Sequence, residues 1–68
     1  MSIKLDKIDE KILKFIDKSD WPVTTEMVGI GAGVSWNTAQ IHLYKLQAAG
    51  LIKGKRVGRQ NQWMRIKS

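Results

Sequence analysis

Two glycines enclose one stretch of helical spacing: Gly33 lies just ahead of it, Gly50 just after it, and between them runs SWNTAQIHLYKLQAA, residues 35–49. Glycine reaches the left-handed backbone that ends helices, and a serine side chain caps a helix by accepting one of its free amide hydrogens. The segment therefore reads as a helix over about 35–49, capped by Ser35 and stopped at Gly50. Whatever precedes it must turn sharply into it at Gly33. With Trp36 set at zero and about 100° per residue, Ala39, Leu43 and Leu46 point inward near 305°, so the outward direction lies near 125°.

The segments on either side have their own periods. LDKIDEKILKFIDKSD places Leu5, Ile8, Ile12, Phe15 and Ile16 at helical spacing, widened by Leu13, and predicts a first helix over about 6–18. Asp6 is its expected N-cap, with Asp9 and Glu10 favouring the positive end of the helix dipole. Pro22 fixes the boundary by disfavouring helical geometry at Trp21. Val23 forms a brief extended step, and Thr24 or Thr25 caps a second helix over about 25–32. Gly29 and Gly31 each cost that helix about 1 kcal/mol relative to Ala, which close approach of another helix would offset. GIGAG lacks the Lys-Ser/Thr of a phosphate-binding loop and follows no buried strand, so packing is the preferred explanation. After Gly50 the pattern changes to strand: Leu51 and Ile52 enter from the core, Gly58 to Asn61 are turn material, and Gln62 to Ile66 return. Trp63 then faces one side, and Met64 with Ile66 the other.

Sixty-eight residues make one small domain, 1–68, which buries only about 60% of its unfolded-chain surface. With 43% apolar residues dispersed at periodic positions, that domain has a folded core; only residues 1–4 and 67–68 read as loose. Cysteine is absent, so packing alone must hold it. No apolar run approaches the roughly 18 residues that span a bilayer, and no signal-peptide layout opens the chain. The expectation is a cytoplasmic protein with no membrane partner.

Charge divides the chain in two. Residues 1–26 carry five Lys against six Asp or Glu, whereas residues 27–68 carry seven basic residues and no acid. A lysine surplus serving only solubility has no reason to exclude acids from 42 consecutive positions. A near-neutral scaffold joined to a strongly positive half suits a polyanion partner.

The combined pattern resembles the winged helix-turn-helix domain of bacterial and archaeal transcription regulators. The residues that carry the resemblance are Gly29, Gly33-Val34-Ser35, Thr38, Leu43, Leu46 and Gly50-Leu51-Ile52, together with a basic hairpin turning at Gly58-Arg59. It covers about residues 5–66. Two positions depart from it: Ala32 stands where a larger apolar residue is common, and Trp36 where a polar or basic one is common. The resemblance implies a mainly α fold with a small β-hairpin (α+β), with three helices and a C-terminal wing over about 51–66. It also implies a third helix in the major groove of double-stranded DNA and a wing on backbone or minor groove.

On that helix Asn37, Ile41 and Tyr44 lie nearest the outward direction, flanked by Thr38, Gln40 and Lys45. Asn37 and Gln40 carry the paired donor and acceptor that match adenine, and Ile41 could meet a thymine methyl unless it is simply a scattered exposed residue. Tyr44, Lys45 and the caps Ser35 and Thr25 suit phosphates. Trp36 falls about 55° from the core direction, at the rim, and His42 reads as a half-buried packing residue. The wing offers Lys53, Lys55, Arg56, Arg59 and Arg65, with Gln60, Asn61 and Gln62 near its tip. Arg59 suits a narrow minor groove, although a basic hairpin also guards against edge pairing. Five to seven phosphate contacts would give a log–log salt slope of roughly −4 to −6.

The leading expectation is sequence-specific duplex binding by a small transcriptional regulator. The alternative is a protein-interaction module for an acidic partner, anchored by Trp36 and Ile41. Enzymatic function is not expected: there is no Cys, there is one His, and every carboxylate sits in the scaffold half. No cofactor, metal or small-molecule effector is expected. RNA reading lacks the exposed aromatic pair on a sheet that single-strand readers use. A homodimer would have to use helix one or the Ile30 region.

Overall fold

The computed structural model describes residues 4–20 and 22–66. Three helices and three strands follow one another as α1 (Lys7–Lys18), β1 (Val23–Thr24), α2 (Thr25–Ala32), α3 (Trp36–Ala48), β2 (Ile52–Val57) and β3 (Gln60–Arg65). The fold class expected from sequence, mainly α with a small β element (α+β), is the one observed. The expected break at Trp21 lies outside the described residues. α1 ends before it, at Lys18, where the Ser19 hydroxyl donates to the Phe15 carbonyl at 2.9 Å.

Local chemistry sets each helix boundary. Asp6 caps α1 in a reciprocal box: the Asp9 amide donates to the Asp6 carboxylate at 2.8 Å, and the Asp6 amide to the Asp9 carboxylate at 3.1 Å. α2 is capped by Thr24, whose hydroxyl accepts from the Met27 amide at 3.2 Å. It ends at Gly33, where φ is 71° and the Val34 amide closes onto the Gly29 carbonyl at 2.9 Å. Ser35 caps α3 by accepting from the Thr38 amide at 3.2 Å. Gly50, at φ 79°, turns the chain out of that helix into the wing.

The wing is more than the hairpin expected. β2 and β3 pair antiparallel from Ile52↔Arg65 to Val57↔Gln60, and β1 pairs with the outer side of β3 through Val23↔Trp63 and Thr24↔Gln62. Strand order is β1-β3-β2, so β3 is central. The turn is shorter than expected: only Gly58 and Arg59 lie between the strands, and Asn61 belongs to β3.

One core joins helices and sheet. Ile12, Leu13 and Ile16 of α1 meet Val28 and Ala32 of α2, Ala39, Leu43 and Leu46 of α3, and Val23, Ile52 and Trp63 of the sheet. The two glycines of α2 mark its tightest approaches, as their cost suggested. A Cβ at Gly31 would stand 2.4 Å from the Phe15 ring of α1, and one at Gly29 would stand 3.1 Å from the Val34 carbonyl in the α2–α3 turn. Gly54 does the same in the sheet, where its missing Cβ leaves room for the Trp63 ring.

Candidate nucleic-acid interface

Because Ala39, Leu43 and Leu46 hold one side of α3 in the core, the opposite side faces out. Asn37 is exposed there, beside Trp36 at 53%, Ile41 at 67% and Tyr44 at 51% of full exposure. Trp36 thus keeps about half its ring in water, as its place at the rim of the helix required. Thr38 is partly covered, its hydroxyl accepting from Ser35 at 2.9 Å.

A cleft of about 320 Å³ separates this helix from the wing. Trp36, Gln40 and Tyr44 line its α3 wall; Arg56, Arg59, Gln60 and Asn61 line the wing wall; the start of α2 closes one end, where Glu26 is the one acid among its lining residues. Arg56 is steadied by its own turn, its Nε donating to the Gly58 carbonyl at 3.3 Å.

The floor of the cleft is a chain of hydrogen bonds. The buried Trp63 indole donates to the Thr25 hydroxyl at 2.9 Å, and that hydroxyl donates to the Gln40 side-chain carbonyl at 3.0 Å. The Gln40 amide then donates to the Tyr44 hydroxyl at 3.1 Å, which the Asn61 amide also approaches, at 3.5 Å. Tyr44 stands edge-on to Trp63, with ring centroids 5.6 Å apart and planes at 83°. Tertiary structure thereby fixes two side chains that are flexible on an isolated helix.

The other flank of α3 is tied to α1. Asp9, fully buried, accepts from His42 Nδ1 at 2.6 Å and from the Lys45 ammonium at 2.6 Å, while its second role in the capping box continues. Burial alone would push the Asp9 carboxyl up. The hydrogen bonds from Lys45, His42 and the Asp6 amide, with the Lys45 charge, outweigh that and hold it below its ordinary value. The same bond to Asp9 raises Lys45 against the opposing effect of desolvation, helped by the charges of Asp9 and Asp6. Asp6, Asp9 and His42 offer oxygen and nitrogen atoms within 4.8 Å of one another, but the cation that Asp9 holds is the Lys45 ammonium itself.

Several expected contacts are therefore redirected. The Lys45 ammonium is engaged by Asp9 of α1, 2.6 Å away. Thr25 is not the cap: Thr24 takes that place, and Thr25, 3% exposed, spends its hydroxyl inside the protein. His42 is not packed against apolar surface alone but bonded to a buried carboxylate. Lys53 and Lys55 share a groove with Pro22 and Met64 on the other face of the sheet, because side chains alternate along a strand. Arg65 leans toward Asp17 of α1, with Nε 3.6 Å from the carboxylate. Of the wing's basic residues, Arg56 and Arg59 share the cleft with α3.

Asp9 is the residue that periodicity missed. It falls on the turn where a carboxylate suits the helix dipole, and that local reason accounts for it without any distant partner. The capping-box spacing with Asp6 was legible, but nothing in one sequence pairs residue 9 with 42 and 45.

No protein-family model matches the sequence, and no curated protein gives a significant match. Solved structures do share the fold. The PcaV transcriptional regulator of Streptomyces coelicolor, in complex with its natural ligand, superposes with a TM-score of 0.86 at 18% identity, over 96% of this chain and 48% of that one. Lactococcus lactis ZitR, as a mutant in complex with DNA, gives 0.82 at 25% identity over 97% and 46%. The Zalpha domain of Carassius auratus PKZ, in complex with Z-DNA, gives 0.77 at 18% over 88% and 94%. The chain thus spans about half the length of the two regulators and nearly all of the Zalpha domain. By element order, sheet topology and these superpositions, it folds as a winged helix-turn-helix domain.

Proposed function

We propose that this domain binds double-stranded DNA as the nucleic-acid-reading part of a small transcriptional regulator. One observation carries the reading: the half of the chain without a carboxylate folds so that Arg56 and Arg59 face the exposed side of α3 across a single cleft. Asn37 and Ile41, standing clear of the cleft on α3, are the proposed base contacts. Ser35 and the free amides that open α3, with Arg56, Arg59, Gln60 and Asn61, are the proposed backbone contacts. Trp36 sets the tilt of the helix against the sugar-phosphate wall, so Trp36→Ala lowers affinity for all sequences alike. Thr38 supports the cap.

The redirected lysines lower the electrostatic expectation. With Lys45 and Arg65 held near acids of α1, and Lys53 and Lys55 on the far face of the sheet, Arg56 and Arg59 are the basic residues left to the cleft among the described residues. The salt slope becomes roughly −2. A fluorescence titration against a duplex over a salt series tests this, and binding that is absent at low salt or indifferent to salt rejects it. The titration includes right-handed and left-handed duplexes, because one fold-mate of matching length was solved on Z-DNA.

Binding, not catalysis, is the activity proposed: the one His is bonded to Asp9, and the chain has no Cys. Among the described residues no helix is long and apolar enough to cross a membrane, and a cytoplasmic place belongs to this reading. Pairing of two copies would use α2, where Ile30 is 76% exposed beside Met27. Sedimentation showing a monomer at high concentration rejects that pairing. The competing reading is an acidic protein partner seated on Trp36 and Ile41. Replacing Arg56 and Arg59 with Ala abolishes nucleic-acid binding in the first reading, whereas in the second it weakens partner affinity less than replacing Trp36 and Ile41 does.

A further inference from the structure

Resting on that DNA reading, we propose that the Trp63–Thr25–Gln40–Tyr44 chain fixes the direction of its hydrogen bonds, so that Gln40 and Tyr44 offer the cleft hydrogens only. The ligand class this selects is a hydrogen-bond acceptor of the duplex, either a phosphodiester oxygen or a purine N7.

The direction follows from valence. An indole N–H can only donate, so the Thr25 oxygen must accept from Trp63. The Thr25 hydroxyl has one hydrogen and is buried, and among the described residues its one acceptor is the Gln40 carbonyl. The reverse amide orientation would strand that hydrogen in the interior, where an unmade bond is costly. With its carbonyl used, Gln40 turns its NH₂ toward Tyr44 and the cleft. The phenol oxygen then accepts from Gln40 and is approached by Asn61, which leaves the phenol hydrogen for a ligand.

This changes what Gln40 can read. An adenine needs a donor and an acceptor from one amide, but the Gln40 carbonyl is turned onto the buried Thr25 hydroxyl, so the amide does not present both groups side by side to the cleft. Asn37, exposed and outside the chain, keeps that capacity. Thr25 and Trp63 are positioning residues: neither reaches the ligand, but both decide which atoms of α3 do. Arg56 and Arg59 on the facing wall supply further hydrogens, so an acceptor entering between helix and wing meets donors from both sides.

The test uses the full chain and a duplex recovered by selection from a random pool. The duplex is then remade with single methylphosphonate linkages and, separately, with single 7-deazapurines. Tyr44→Phe is expected to weaken binding about tenfold, the cost of one hydrogen bond to a charged or strongly polar acceptor. One modified position that weakens wild-type binding is expected to cost the Tyr44→Phe variant nothing further. That position names the source: a methylphosphonate marks a phosphodiester oxygen, a 7-deazapurine marks a base edge. Thr25→Val is expected to weaken binding several-fold and to blur the same position, while Thr25→Ser, which keeps the hydroxyl, restores both. If Thr25→Val does not fold, the exposed Tyr44→Phe change carries the test by itself.

Wild-type binding with Tyr44→Phe unaffected, or with every modification penalty intact in that variant, overturns this inference alone. Failure of the wild-type chain to bind any duplex overturns the DNA reading and this inference with it.

Discussion

The two flanks of α3 are both held by polar chains, yet the chains differ in kind. Toward the wing, Trp63, Thr25, Gln40 and Tyr44 are neutral, and the chain ends at a half-exposed hydroxyl. Toward α1, Asp9, His42 and Lys45 are charged or ionisable, and the chain closes on a carboxylate with no exposure at all. A neutral chain can pass its last hydrogen to a ligand. A charged chain that satisfies itself cannot, and it removes Lys45 from the positive surface it was expected to join. One helix is thereby anchored on one side and presented on the other.

The sharpest way to break this contrast is to empty the charged chain. Asp9→Ala removes the capping partner of Asp6 and the acceptor of two side chains, and the expected loss is on the order of 3 kcal/mol. Chemical denaturation measures it. If the two flanks are separate devices, the folded fraction of this variant binds DNA with unchanged specificity. A change in the selected sequence would show instead that α1 helps to aim α3.

Next in size is a disturbance of the neutral chain through its foundation. A methyl at Gly54 would stand 2.5 Å from the Trp63 ring, so Gly54→Ala must displace either the indole or β2. Overpacking of this kind costs about 1–3 kcal/mol. Because Trp63 begins the chain that ends at Tyr44, affinity should fall in this variant more than in Asp9→Ala at equal folded fraction. Tryptophan fluorescence and titration of one sample read both effects.

How far the sequence reached follows the same division. Boundaries set within a few residues were legible: Asp6, Ser35, Gly33 and Gly50 act locally, and the helix limits follow from them. The outward face of α3 was legible too, because three buried positions fix a direction and Asn37, Ile41 and Tyr44 must then oppose it. What depended on distant partners was not. Thr25 pairs with Trp63 across 38 positions and Asp9 with Lys45 across 36, and neither spacing has a period. Val23 reads locally as an extended step, but the partnership of β1 with β3 is a long-range fact of the same kind. The sign of the charge distribution survived folding, while its reach did not, since composition counts a lysine equally whether it faces a ligand or a carboxylate.

Acid and base separate the flanks in turn. The Asp9 carboxyl is held below its ordinary value of 3.8, so the stability it adds is present above that range and is lost as pH falls through the lowered value. Lys45 is raised above its ordinary 10.5, so its share is present below that pH and disappears as pH rises through the raised value. Between those limits this pair contributes a plateau in melting temperature. The neutral chain contains no group that titrates in the acid limb. A Thr25→Val variant should therefore lose a constant increment from the profile between about pH 3 and 6, whereas Asp9→Asn should flatten its acid side.

The smallest expected effect is a null that only the contrast explains. Lys45→Met removes a positive charge from the third helix of a winged helix-turn-helix domain, where, in the DNA reading proposed above, such a loss would ordinarily reduce the salt slope by about 0.9. Here the ammonium lies 2.6 Å from Asp9 and 3.9 Å from Asp6, so the charge that changes is already offset by α1. The slope of log affinity against log salt should stay as it is, with affinity at one salt concentration falling slightly because Asp9 is left uncompensated. Arg59→Ala, which removes a charge from the cleft itself, should lower the slope by about 0.9 under the same conditions. Equal slopes for the two variants would mean that Lys45 leaves Asp9 when DNA arrives, and the flank that looks closed would then be a second part of the binding surface.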